Sequence, residues 1–176
     1  MQKVLIFIGW LLISSCAVTV KTYQKPEQSF DDFQTWCWLQ GCEVTYQGPD
    51  YLYDQKVVDE ISNAIAYYMV EKGYTQGDDQ SDLMVNFFMV LEEDSVEVGG
   101  FYDDDYRGER EWLTSLYPEY RRFLKGSLVI DVLDRRNSEL VWRSTAVRYL
   151  EANPSYDKKQ IWSGVEKAMK KLPIKE

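Results

Sequence analysis

Apolar residues recur at helical spacing between about Asp54 and Lys72. Val57, Val58, Ile61, Ala64, Ile65, Tyr68 and Met69 fall at i, i+3, i+4 and i+7, the stripe of a helix with one face on a core. Asp54 is placed to cap the first amides and Gly73 to end the helix in a left-handed turn. Asp82 to Leu91 alternates instead. Leu83, Val85, Phe87, Met89 and Leu91 point one way, and Met84, Asn86, Phe88 and Val90 the other. Both sets are largely apolar, which predicts a central strand covered on both sides. Phe33 to Leu39 alternates like a strand, and Val96 to Gly100 adds a short one. Gly126–Asp134 and Glu139–Leu150 predict two antiparallel strands joined by the polar turn Asp134-Arg135-Arg136-Asn137-Ser138. A last helix opens at Asn153-Pro154, carries Ile161, Trp162, Val165, Ala168, Met169 and Leu172 on one stripe, and stops at Pro173.

The order strand, helix, strands, hairpin, helix predicts an α+β domain: an antiparallel or mixed sheet with two amphipathic helices packed on one face. It occupies residues 30–176. Residues 95–124 form an irregular acidic and aromatic segment, with at most a helical turn at Glu109 to Leu116. Residues 16–29 are polar, lack periodicity and include Lys25-Pro26. They predict a flexible tether, with a reach of about 40 Å at ~3.3 Å per residue.

The first 15 residues differ from everything after them. Lys3 precedes the apolar run Val4 to Ile13, and Ser14-Ser15 lead into Cys16. A basic start, a short apolar segment and small residues before a cut make a signal peptide. An ordinary membrane anchor is the alternative, but ten apolar residues are too few for the roughly 30 Å hydrocarbon core. A cysteine directly after the cut resembles the bacterial lipobox. That resemblance implies cleavage before Cys16, a diacylglycerol thioether on its sulfur and N-acylation. By analogy with sorting in Gram-negative bacteria, Ala17 after the cysteine implies the outer membrane, and the lack of an acidic export signal implies its periplasmic face.

Charge narrows the partners. Loss of Lys3 with the signal leaves 19 basic residues against 29 acidic, a mature net charge of −10. Such a chain repels nucleic acid and anionic headgroups, so its membrane contact must come from acyl chains. There is no histidine. This excludes Ser-His-Asp and Cys-His nucleophile systems and His-ligated zinc. Cys37 and Cys42 are the cysteines beyond Cys16. If Trp38 to Gly41 form a four-residue hairpin loop, the two face each other and bridge, as even pairs outside the cytoplasm usually do. Otherwise they are two small core thiols.

Three stretches carry a further resemblance. They are Phe33-Gln34-Thr35-Trp36; Lys72-Gly73-Tyr74 with Ser81-Asp82-Leu83-Met84-Val85; and Lys125-Gly126-Ser127-Leu128-Val129-Ile130-Asp131-Val132 with Leu140-Val141-Trp142-Arg143. In that order, behind a lipobox, they resemble a bacterial envelope lipoprotein family, the domain-of-unknown-function family numbered 4136. The resemblance spans roughly residues 23–173. It implies a Gram-negative envelope lipoprotein with no assigned catalytic residues, so no active site is carried over.

Three candidate sites remain. Asp103, Asp104 and Asp105 with Asp94 offer oxygen ligands for calcium, but lack the D-x-D-x-D-G spacing and trailing glutamate; a solvated acidic loop is the simpler reading, and no metal or cofactor is expected. Trp36, Trp38, Tyr102, Tyr106 and Trp112, with Tyr117 and Tyr120, form a possible ligand surface for glycan or peptide, or else pack in the core. Glu92, Glu93, Asp131 and Asp134 contain the carboxylates from which a hydrolytic pair would come. The expectation from sequence is a non-enzymatic binding or assembly module of the envelope, meeting a protein or glycan partner. The alternatives are a surface glycan-binding lipoprotein and a carboxylate-dependent hydrolase.

Overall fold

The computed structural model describes residues 18–39, 45–47, 50, 53–78, 80–98, 119–151 and 155–175. Among them are seven strands and two helices. In chain order these are β1 (Thr19–Gln24), β2 (Thr35–Trp38), β3 (Thr45–Gln47), α1 (Gln55–Glu71), β4 (Thr75–Gln76), β5 (Leu83–Val98), β6 (Glu119–Asp134), β7 (Glu139–Glu151) and α2 (Lys158–Met169). They make the expected α+β fold on one mixed sheet.

The sheet is built around a long hairpin pair. β5 and β6 are antiparallel in unbroken register from Leu83 opposite Asp134 to Val98 opposite Glu119, and β7 follows antiparallel on β6. β1 closes one edge against β7. On the other side, β2 and β3 both run parallel to β5, at Leu83–Val85 and Phe88–Val90 respectively, and β4 runs parallel to β2. The order is β1-β7-β6-β5-β2-β4, with β3 also on β5.

Strand alternation sends Leu83, Val85 and Phe87 to one face, opposite Val132 and Ile130. α1 brings Val58, Ile61, Ala64, Ile65 and Met69 onto them, and α2 brings Val165, Ala168 and Met169. Asp54 Oδ1 accepts the Lys56 amide at 2.9 Å, and Gly73 takes φ +92° just past the α1 terminus, as the periodicity predicted. The opposite sheet face holds Met84, Asn86 and Asp131, all buried.

Several expectations need correction. The tether expected over 16–29 contains β1. As an edge strand it needs apolar residues on one side only, and Val18 and Val20 suffice. The strands flanking the hairpin expected across Trp38–Gly41 do not pair with each other; β2 and β3 both run parallel to β5. Cys37 is a buried free thiol whose Sγ accepts from Arg135 Nη2 at 3.2 Å; Cys42 lies outside the described residues. The flanks of the irregular 95–124 segment belong to regular strands, since β5 runs through Val98 and β6 begins at Glu119. The possible turn at Glu109 to Leu116 lies outside the described residues, as do the signal segment 1–15 and Cys16. The last helix is capped by Asp157, which accepts from the Gln160 amide, rather than opening at Asn153-Pro154. No described helix is long and apolar enough to cross a membrane.

Candidate functional site

The two helices meet the sheet closely at one end and stand off it at the other. At the open end the inward strand positions are Met89 and Leu91 of β5, Gly126 and Leu128 of β6, and Ala146, Arg148 and Leu150 of β7. Register sets Met89 beside Leu128 and Leu91 beside Gly126. Val57 and Ile61 from the first turns of α1, and Ile161, Gly164 and Val165 from α2, form the roof. Val18, just before β1, completes the wall. The enclosed groove has a volume of about 450 Å³, within the usual range for small-molecule sites.

Two glycines line it. Gly126 is inside β6, and a Cβ there would come within 3.3 Å of both Leu91 and Leu150 side chains. Gly164 is inside α2, where a Cβ would meet nothing within 4 Å. Glycine in a helix interior costs about 0.8–1 kcal/mol relative to alanine. Among the described residues packing does not ask for it at position 164, which lines the groove.

The groove's charged groups are few. Arg148 reaches it from β7, and its Nε is buried with no hydrogen-bond partner among the described residues. Asp54 and Asp157 stand at the helix N-termini, each already accepting a backbone amide as a cap. At the rim, Tyr156 donates to Glu60, which also accepts from Lys158 Nζ at 3.0 Å and Trp162 Nε1 at 2.7 Å. The Trp162 bond, then that from Lys158, hold the Glu60 carboxyl below the usual carboxylate range. Tyr67 and Tyr68 pack on Trp162 at 5.5 and 6.4 Å between ring centres.

The residues singled out from sequence that are described do not converge. Trp36 is fully buried, edge-on to Trp38 at 5.2 Å, and Trp38 leans on Phe87. Trp36 is core, and Trp38 packs against that core half-buried. Tyr102, Tyr106 and Trp112 lie outside the described residues, as do Asp103 to Asp105. Asp131 is in a bidentate pair with Arg143 on the face away from the helices. Asp134 is three residues along β6, hence on the other face, and is held by Arg136. Those Arg136 bonds keep its carboxyl below its ordinary value. Glu92 meets Lys125 at 3.2 Å near the far end of the same hairpin. Among the described residues no three acidic or cysteine side chains cluster as metal ligands. Sequence reasoning missed both the groove and the Glu60–Trp162 cluster. The i, i+4 spacing of Lys158 and Trp162 was the available signal for the second.

A mixed sheet with two helices over one face, open at the helix N-termini, defines an α+β domain with a built-in apolar groove. The chain belongs to the family described as a domain of unknown function (DUF4136), which it matches over residues 20–174. Among solved structures it is similar to a DUF4136 family protein from Bacteroides thetaiotaomicron, with 16% identity, TM-score 0.53 and coverage of 87% of this chain and 94% of the other. It is also similar to a PelC dodecamer chain from Paraburkholderia phytofirmans, with 12% identity, TM-score 0.51, and 91% and 100% covered. A PDZ domain protein from Parabacteroides distasonis matches at 14% identity and TM-score 0.51, over 90% of this chain and 37% of that one. At these identities the likeness is one of fold. No curated protein matches the chain.

Proposed function

We propose that the protein is a lipid-anchored envelope protein of a Gram-negative bacterium, held at the periplasmic face of the outer membrane by acyl chains on Cys16. In this reading the domain is a non-enzymatic binding module, and the groove is where it binds. One observation carries the binding role. Gly164 leaves open space in the groove lining at a helix-interior position where alanine would stabilise the fold and no described residue stands in its way. The lipobox-like sequence supports the anchor. The dodecamer formed by a PelC chain of similar fold supports an assembly role alongside binding.

The test has two arms. Metabolic labelling with a fatty acid should mark the wild type and leave Cys16→Ala unmarked. Native mass spectrometry of protein extracted from its own envelope should find a copurifying mass that is lost from a folded Gly164→Leu variant. Equal retention by both proteins would remove the groove from the proposal. Reproducible turnover of glycan, peptide or ester substrates by the mature protein would overturn its non-enzymatic part.

A second reading, glycan binding, has its own support on different residues from those the sequence suggested. Tyr67 and Tyr156 are half exposed beside Trp162, Lys158 and Glu60. Aromatic faces beside charged hydrogen-bonding groups suit sugars. Loss of glycan-array binding in Trp162→Ala, with Gly164→Leu unaffected, would favour this surface over the groove.

A further inference from the structure

We infer that the groove receives one of the acyl chains carried by Cys16, so that the domain holds part of its own anchor when it is off the membrane. The inference rests on the lipid-anchor reading above and names the occupant of the groove.

Position is the first argument. β1 pairs with β7 so that Thr19 lies opposite Val147, which brings Val18 to the groove wall near Ala146 and Arg148. Cys16 is two residues earlier, about 7 Å of extended chain at ~3.3 Å per residue. A lipid on that sulfur starts within reach of the groove.

Chemistry is the second argument. The floor and roof are apolar: Met89, Leu91, Leu128, Leu150 and Ile161 supply carbon surface that a flexible hydrocarbon can follow. Among the described residues the charged lining is one cation, Arg148, against two carboxylates, Asp54 and Asp157. That balance disfavours a free fatty acid or a phospholipid headgroup, each of which brings another negative charge. The lipid on a processed cysteine is neutral along its length, joined by thioether, ester and amide bonds. Its ester or amide carbonyl is also an uncharged acceptor for Arg148 Nε, which is buried without one.

Space is the third. Gly164, in the groove lining, leaves open space that a long side chain would take up. The consequence is competition between groove and bilayer for one chain. An occupied groove lowers the apolar surface the lipidated protein exposes in water, while the remaining chains stay free to insert.

The test uses the full lipidated protein, labelled in cells with a diazirine-bearing palmitate, purified and illuminated as a dilute monomer. The expected product is an intramolecular cross-link joining the Cys16 peptide to peptides carrying Met89, Leu91, Leu150 or Ile161. Its yield should fall at least fivefold in Gly164→Leu; if that variant does not fold by circular dichroism, Ala146→Phe blocks the groove from the sheet side. Labelled Cys16 with cross-links only outside the groove, or with undiminished yield in the folded blocking variant, would overturn the inference and leave the anchor intact. Absence of label on Cys16 would overturn both. Groove labelling of Cys16→Ala by added free diazirine palmitate, without any tethered cross-link in the wild type, would assign the groove to another lipid and overturn it too.

Discussion

The two ends of the helix layer are packed to different standards. At the C-terminal ends of α1 and α2, Met69, Tyr74, Leu83, Met169 and Leu172 are fully buried. The chain beyond α2 is tied down by Lys175 N–H to Lys72 C=O at 2.9 Å and Tyr74 O–H to Pro173 C=O at 3.0 Å. At the N-terminal ends the same helices and the same strands enclose about 450 Å³. Both ends are apolar, so hydrophobicity does not distinguish them. Small residues mark the open end: Gly126, Ala146 and Gly164 stand in its lining among Met89, Leu91 and Leu128, whereas Trp36, Tyr74 and Met169 fill the closed one. The fold's stability is thus concentrated away from its candidate site, which lets the open end keep a cavity that a core would not tolerate.

The sharpest way to break this contrast is to truncate one residue at each end. Trp36→Ala, at the closed end, should cost about 3–5 kcal/mol, because a fully buried indole leaves a cavity. Ile161→Ala, half-buried beside space that already exists, should cost about 1 kcal/mol, below the usual core range. Denaturant unfolding of both variants checks it. Equal losses would mean that the open end carries core packing after all. Near-wild-type stability of Trp36→Ala would also revive the ligand-surface reading of that residue.

Asp82 supplies the next effect. Its Oδ2 accepts from the amides of Gln34 and Thr35 at 2.8 and 2.9 Å and from the Thr35 hydroxyl at 3.0 Å, while Thr35 Oγ1 accepts the Asp82 amide. This clamp joins the start of β2 to the start of β5. Hydrogen bonds to a charged group are worth about 1.5–3 kcal/mol, so Asp82→Ala should lose about 2–3 kcal/mol. Burial pushes the Asp82 carboxyl up, but the three donated bonds together leave it below its ordinary value. A depressed carboxyl stabilises the fold above its unfolded pKa of about 3.9. That contribution is lost as pH falls through the folded value. Acid unfolding of the wild type should therefore flatten in Asp82→Ala. An unchanged acid limb would remove Asp82 from the account.

The closed end was largely legible in the sequence and the open end was not, for a physical reason. α1 announced itself because Val58, Ile61, Ala64, Ile65 and Met69 repeat at helical spacing and are all buried. β5 was recognisable from two apolar faces. A cavity, by contrast, is written in what is missing. Gly126 and Gly164 carry no side chain for an apolar period to register. Only the register that sets Leu91 beside Gly126, with α2 above, shows that both line one space. β1 was missed because an edge strand needs little apolar patterning, and β4 because two residues carry no period. For Trp36 the sequence left two roles open, core packing and an aromatic surface, and burial decides for the core.

At the closed end, alkaline pH acts through Tyr74. Burial, with a smaller contribution from Asp31, pushes the Tyr74 hydroxyl up to about 12. In the unfolded chain it ionises near 10. The folded state holds the proton more tightly, so the contribution is fully present below about pH 10 and is lost between there and about pH 12. Tyr74→Phe should remove the bond to Pro173 and with it this alkaline slope. The same slope in Tyr74→Phe would locate the titration elsewhere.

The smallest expected effect has the opposite sign. Gly164→Ala places one methyl where nothing lies within 4 Å, in a helix interior. It adds no clash and removes backbone freedom from the unfolded chain, so it should stabilise by about 0.5–1 kcal/mol. A 1 kcal/mol gain corresponds to roughly 2–4 °C in the melting midpoint of a domain of this size. The same methyl intrudes on the groove far less than the leucine used to block it. Gly164→Ala should therefore be a more stable protein with a slightly narrower site, and Gly164→Leu one whose site is shut. Calorimetry of both, beside the copurifying mass each retains, separates the two roles of the position. Destabilisation by alanine would show that the space above Gly164 is already filled by close packing. The open end would then be no different in kind from the closed one.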